Sequence, residues 1–246
     1  MFRRILELAI NDITLRHCTI ANKSRSTRPK LFFNTLTMAK SNTGGSTIKP
    51  QNYNYFLVLD FEATCSKGRY IKPQEIIEFP VLKVSGVTFE TESTFHQYVE
   101  PQVHKELSPF CTELTGIIQE MVDGQPNITE TLQKLDVWMK NEGLLEPGVR
   151  SVFVTCGDWD LKTMLPNQSA YFGFTYAEYL KHWINIKKPF CESLGFYPKG
   201  MMPMLSQLKV EHEGRHHSGI DDSKNIAQIL KQIALRGYVF KETGSL

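Results

Sequence analysis

The chain has 246 residues, 41% of them hydrophobic and 11% aromatic, and a formal net charge of +2. That length suits one domain with an appendage, and the composition allows a sizeable buried core. Apolar runs are as short as Phe56-Leu57-Val58-Leu59, far below the roughly 18 apolar residues of a membrane-spanning helix; a soluble protein without a membrane partner is expected.

The small net charge hides an asymmetry. Residues 1–50 carry nine Lys/Arg against Glu7 and Asp12, a balance of +7, while the remainder carries 19 basic and 24 acidic residues, a balance of −5. A body this acidic can approach nucleic acid only by concentrating positive charge locally or by neutralising acids with metal. The five cysteines, at 18, 65, 111, 156 and 191, are odd in number, widely spaced and free of any CxxC pair. That pattern argues against both a disulfide framework and a zinc site, and fits a reducing compartment.

Residues 1–50 read as a basic leader. Ser, Thr, Asn, Lys and Arg dominate from Ala21 to Pro50, and helical spacing of apolar groups is confined to residues 2–13. Such a start has the texture of either a disordered basic tail or a mitochondrial presequence, although Glu7 and Asp12 weigh against an address. Cytoplasm or nucleus is the expected compartment, with mitochondria as the alternative. From Tyr53 the texture becomes that of a packed domain, expected over 53–240.

Tyr55–Asp60 predicts a buried strand ending in acids. Ile76–Val84 and Val87–Val99 predict two strands joined by a turn at Ser85-Gly86. Ser108-Pro109 supplies an N-cap and first-turn proline for a helix to about Glu120. Asn127 with Glu130 forms a capping-box pattern, followed by a helix face of Ile128, Leu132, Leu135 and Trp138. Ser151–Thr155 predicts another buried strand and Asp158–Leu165 a short helix. Ile226, Ile229, Leu230 and Ile233 line a last helix from about Asp221. Strands followed by alternating helices and strands make an α/β domain with a mixed central β-sheet flanked by helices.

Three places carry chemistry. Asp60-Phe61-Glu62 ends the first strand, where residues two apart share a face; two carboxylates so close repel unless a cation holds them. Val152–Thr155 leads through Cys156-Gly157-Asp158-Trp159 to Asp160, delivering acids to the start of a helix, where either can also act as a cap. His217-Ser218-Gly219-Ile220-Asp221-Asp222 opens the last helix, with a glycine letting the chain turn between an imidazole and a carboxylate.

Taken in order, these motifs resemble the DnaQ-like DEDDh 3′→5′ exonuclease superfamily, with matches at Asp60, Glu62, Asp160, His217 and Asp222. The likeness tightens to its enhanced-RNAi exoribonuclease group through Val58–Cys65, Glu75-Ile76-Ile77-Glu78-Phe79-Pro80, Leu114-Thr115-Gly116-Ile117, Trp183-Ile184-Asn185 and His217–Asn225. One departure is visible: that group usually has proline before the histidine, and this chain has His216. The spacing to Asp222 selects His217.

The resemblance implies an RNase H-like fold and metal-dependent hydrolysis of RNA from a single-stranded 3′ end. All-oxygen ligands suit hard ions, so two Mg2+ are expected, with Mn2+ as a substitute. By resemblance Asp60 bridges both ions, Glu62 and Asp222 hold one, Asp160 anchors the other, and His217 is the general base. Phe61, Ala63, Leu114, Thr115, Ile117 and Trp159 flank the motifs and are the candidate nucleotide-binding residues, with Phe110 beside them. For any single aromatic among them, ordinary core packing is the better explanation. A DNA exonuclease of the same superfamily is the first alternative, and a catalytically silent RNA- or protein-binding module the second.

Overall fold

The computed structural model describes residues 48–68 and 70–246. The expected leader and its helical spacing at residues 2–13 lie outside the described residues.

The apolar run after Tyr53 forms strand β1 (Tyr55–Leu59), with Phe56 to Leu59 fully buried. A strand covered on both faces needs continuous hydrophobicity, because successive side chains enter opposite layers. Phe56 and Val58 accordingly join one core, Leu57 and Leu59 the other. β1 runs antiparallel to β3 (Ile76–Ser85) and parallel to β5 (Ser151–Thr155). The short β2 (Glu62–Ala63) and β4 (Thr91–Tyr98) both pair antiparallel with β3. β6 (His182–Asn185) continues parallel to β5, and β7 (Gly244–Ser245) closes antiparallel on β6. Among the described residues this is one mixed sheet of seven strands, as expected.

Helices cover both faces. The first core takes α5 (Lys187–Leu194), α6 (Met201–Leu208) and α7 (Gly219–Leu235), whose Ile226, Ile229, Leu230 and Ile233 are all fully buried. The second takes α3 (Ile128–Asn141) and a π-helical turn, Asp160–Met164, that runs into α4 (Leu165–Phe172). The predicted capping box is present: Asn127 Oδ1 accepts from Thr129 and Glu130, while Glu130 Oε2 accepts from the Asn127 N–H. Among the described residues no helix is long and apolar enough to cross a membrane.

Three expectations need correction. The strand after the hairpin starts at Thr91 rather than Val87. Residues 86–90 form a wider turn, in which Phe89 takes φ 57° and buries its ring against Phe56; core burial outweighs the simpler two-residue turn. The helix predicted from Ser108 to about Glu120 breaks in two, α1 (Pro109–Thr115) and α2 (Gln119–Val122). Ser108 does cap α1, accepting from Cys111 N–H at 3.0 Å, but Gly116 at φ 80° ends it in the left-handed conformation that glycine adopts at least cost. The helix expected over Asp158–Leu165 begins at Asp160 and opens as a π turn. Turns of that kind are rare, and concentrate at functional sites.

Candidate active site

β1 stops at Leu59, so Asp60 leaves the sheet and Glu62 re-enters it on β2, opposite Glu78 of β3. Both acids are nevertheless buried, at 1% and 6% exposure. The intervening Phe61 packs edge-on against Phe79, with ring centroids 4.5 Å apart, and its backbone N–H donates to Asp160 Oδ1 at 3.0 Å. That one bond ties the end of β1 to the π turn after β5, across 99 residues. The two acids around Trp159 thereby separate in role. Asp160 faces the strand end, whereas Asp158 accepts from the Trp183 indole N–H at 2.9 Å. The N-cap position of the π turn is Trp159, which makes no side-chain cap bond.

The third part arrives on α7. Asp222, in its first turn, is 1% exposed and accepts the His217 backbone N–H through Oδ2 at 3.1 Å. His217 sits at φ 67°, a left-handed conformation that costs a side-chain-bearing residue of order 1–3 kcal/mol. Such strain persists only where surrounding contacts fix it, and here the Asp222 carboxylate does so. Glu62, His217 and Asp222 each offer a ligand atom, all within 4.8 Å of one another. Buried carboxylates from three separate elements, with an imidazole beside them, fit hard divalent cations: burial without a counter-charge would be costly, and oxygen donors suit Mg2+ or Mn2+.

Gly219 has a different use from the turn expected of it. A Cβ there would lie 2.5 Å from the Asp60 carbonyl oxygen and 3.0 Å from Glu78 Oε2. Glycine is therefore what lets α7, with Asp222 in its first turn, lie against the end of β1. Gly219→Ala is expected to lower stability by about 1–3 kcal/mol, the usual range for overpacking, and to lower turnover by displacing Asp222. Denaturant midpoints and initial rates check this; wild-type values in both would refute the close-approach role.

Sequence reasoning missed two supporting carboxylates. Glu78 is 1% exposed and caps α7 in place of Ser218, accepting from Gly219 N–H at 2.8 Å and Ile220 N–H at 3.2 Å. His96 Nε2 lies 2.8 Å from Glu78 Oε1, the oxygen that also accepts from Ile220. Glu75, fully buried, accepts the backbone N–H groups of Gln102, Val103 and His104 and so folds the segment that leads to α1. Their signal was available as acids inside an apolar, β-prone run. Arg215 was also missed: its Nη2 donates to the Glu113 carbonyl at 2.5 Å, strapping the histidine loop to α1, and its N–H donates to Asp221 Oδ2 at 3.0 Å. Burial would raise the Asp221 carboxyl pKa, but the Arg215 N–H and the Lys224 ammonium outweigh it and the group lies below its ordinary range.

The candidate nucleotide-binding residues divide. Phe61 and Ile117, 1% and 2% exposed, are core side chains and offer no face for a base. Thr115 is also buried; its hydroxyl donates to the Cys111 carbonyl and accepts the Ile117 N–H. Ala63 is buried on β2. Leu114, Phe110 and Trp159 remain partly open.

Comparison with known proteins places this geometry. The family model described as Exonuclease matches residues 57–230. ERI1 exoribonuclease 3 of Homo sapiens is 61% identical over 195 residues, covering 79% of this chain and 58% of the relative. The 3′-5′ exoribonuclease 1 of Homo sapiens is 41% identical over 187 residues, 72% of this chain and 51% of that protein. The chain thus spans little more than half the length of these curated relatives. Among solved structures, the nuclease domain of 3′hExo, a DEDDh family member bound to rAMP, superposes with a TM-score of 0.76 at 36% identity, covering 80% of this chain and all of that one. A 3′-exonuclease recognising the histone mRNA stem-loop gives a TM-score of 0.76 at 33% identity, covering 83% of this chain and 71% of that one. The RNase H-like sheet, the family match and these likenesses agree, and with them comes a dependence on divalent metal. The chain belongs to the exonuclease family, in its DEDDh branch.

Proposed function

We propose that this protein hydrolyses RNA from a free, single-stranded 3′ end and releases nucleoside 5′-monophosphates. The observation that carries the reading is that Glu62, His217 and Asp222 offer ligand atoms within 4.8 Å of one another, with Asp60 buried at the end of β1 and Asp160 tied to that strand end through the Phe61 N–H. Asp60, Glu62, Asp160 and Asp222 would hold two Mg2+, or Mn2+ in their place. Bound there, the ions supply an activated water and stabilise the leaving oxygen.

The chain's own residues do the rest. His217 accepts a proton from the attacking water, a task suited to a side chain that ordinarily titrates near about 6.5. Its backbone is fixed by Asp222, so the ring stays beside the carboxylates. Leu114 and Trp159, partly open, are the groups to pack against the terminal nucleotide, with backbone contacts from Leu114 to Gly116 at its sugar. Apolar contact of this kind tolerates any base, and a backbone contact to the 2′-hydroxyl would favour RNA over DNA. Support for RNA comes from the relatives, which are named as exoribonucleases, and from the neighbour bound to rAMP.

A paired end must first spend a few kcal/mol on unpairing and unstacking, so single strands are cut faster than duplexes. Blocking the 3′-hydroxyl of a single-stranded RNA with a bulky group is expected to stop the reaction, while a 5′ block leaves it unchanged. Steady shortening of 3′-blocked RNA, or cleavage of a closed circle, would overturn the polarity. Matched RNA and DNA oligomers in the same assay decide the sugar preference.

A further inference from the structure

The histidine loop holds two further imidazoles, beside Asp222, that the hydrolytic reading does not use. His216 Nδ1 lies 3.2 Å from Asp222 Oδ1, and His212 Nε2 lies 3.9 Å from that same oxygen. The two rings stand nearly perpendicular, at 82°, with centroids 5.9 Å apart. One donor atom from each of His212, His216 and Asp222 falls within 4.8 Å of the others. His212 Nε2 is shielded from solvent and makes no hydrogen bond, although it faces a carboxylate. A buried ring nitrogen in that state is costly, and an ion placed between it and Asp222 would satisfy it.

The donor chemistry differs from that of the neighbouring carboxylates. Two imidazoles and one carboxylate are poor ligands for Mg2+, which prefers oxygen, and good ones for borderline ions such as Zn2+. Zinc binds nitrogen and carboxylate oxygen at about 2.0–2.2 Å, which sets neighbouring ligands in a tetrahedron about 3.4 Å apart. The observed 3.2 and 3.9 Å straddle that value. His216 is 41% exposed, so the cluster lies within reach of solvent. His216 also stands where the resembling group usually has proline, so the site depends on a residue in which this chain departs from it.

We propose that His212, His216 and Asp222 form a Zn2+ site that shares Asp222 with the catalytic carboxylates, so that zinc inhibits the nuclease by engaging that ligand. The binding half stands on these three residues alone. The inhibitory half rests on the hydrolytic reading of Asp222.

Zinc binding to the full chain is measured by competition with a chromophoric chelator, in excess Mg2+, for wild type and for His212→Gln and His216→Gln separately. Wild type is expected to hold one more zinc per chain than either variant, or to bind it at least about tenfold more tightly; melting curves confirm that each variant is folded. Equal zinc affinity in all three proteins would overturn the site, as would loss in neither single variant. In a parallel RNA assay at fixed Mg2+, about one equivalent of zinc is expected to suppress wild-type turnover, while each variant needs at least tenfold more. Site-specific zinc binding with the same inhibition curve in every protein would refute the sharing of Asp222. Should no protein cleave RNA, the binding arm still decides whether the site exists.

Discussion

Asp60→Asn is expected to lower cleavage by at least about 10³-fold, equivalent to ~4 kcal/mol of transition-state stabilisation, without loss of the fold. Asp60 is buried at the end of β1, where its backbone carbonyl meets α7 and the next residue's N–H meets Asp160. Asparagine keeps the shape and those backbone contacts but removes one of the buried carboxylate charges at this end of the sheet. Like charges in close quarters oppose folding unless a cation holds them, so the metal-free variant should melt at or above the wild-type temperature. Ligand linkage gives the complementary sign: added Mg2+ stabilises the wild type, because it binds the folded state, and stabilises the variant less. Turnover near the wild-type level would remove Asp60 from the metal-binding set.

His217→Ala is expected to lose about 10²–10⁴-fold in turnover, the usual contribution of general-base catalysis, and to keep its Mg2+-induced rise in melting temperature. His216→Ala should lose far less when zinc is absent. The neighbours make this a sharp comparison, since their rings stack with centroids only 4.0 Å apart. Only His217 belongs to the cluster with Glu62 and Asp222, however, while His216 joins His212 on the other oxygen of Asp222. Rates at saturating RNA separate chemistry from binding. A reversed ranking would mean that the wrong imidazole has been placed beside the attacking water.

What the sequence made legible follows from local rules. β1 was readable because a strand buried on both sides must be apolar at every position, and α3 because its capping box is written in Asn127 and Glu130. The order of the acids pointed to their shared chemistry, although period-two reasoning on Asp60 and Glu62 misses the strand break between them. Contacts across the fold were not legible. Nothing local marks Glu78 as the cap of a helix 141 residues away, or Gly219 as a point of close approach to Asp60. The same limit applies to Phe61, whose burial against Phe79 is a tertiary fact that withdraws its ring from any role as a base platform. Gly116 illustrates the remaining kind of miss: a helical pattern continues past it, but its left-handed backbone ends α1 and lets Arg215 pack on it.

The most direct test of the central claim is a time course on single-stranded RNA carrying its label in the 3′-terminal nucleotide, with and without Mg2+. The account predicts that label appears first and almost wholly as a nucleoside 5′-monophosphate, that release begins without a lag, and that it ceases when Mg2+ is removed and Asp60, Glu62, Asp160 and Asp222 have no ion to hold. Label released first in longer fragments, or undiminished release in the presence of a chelator, would contradict it.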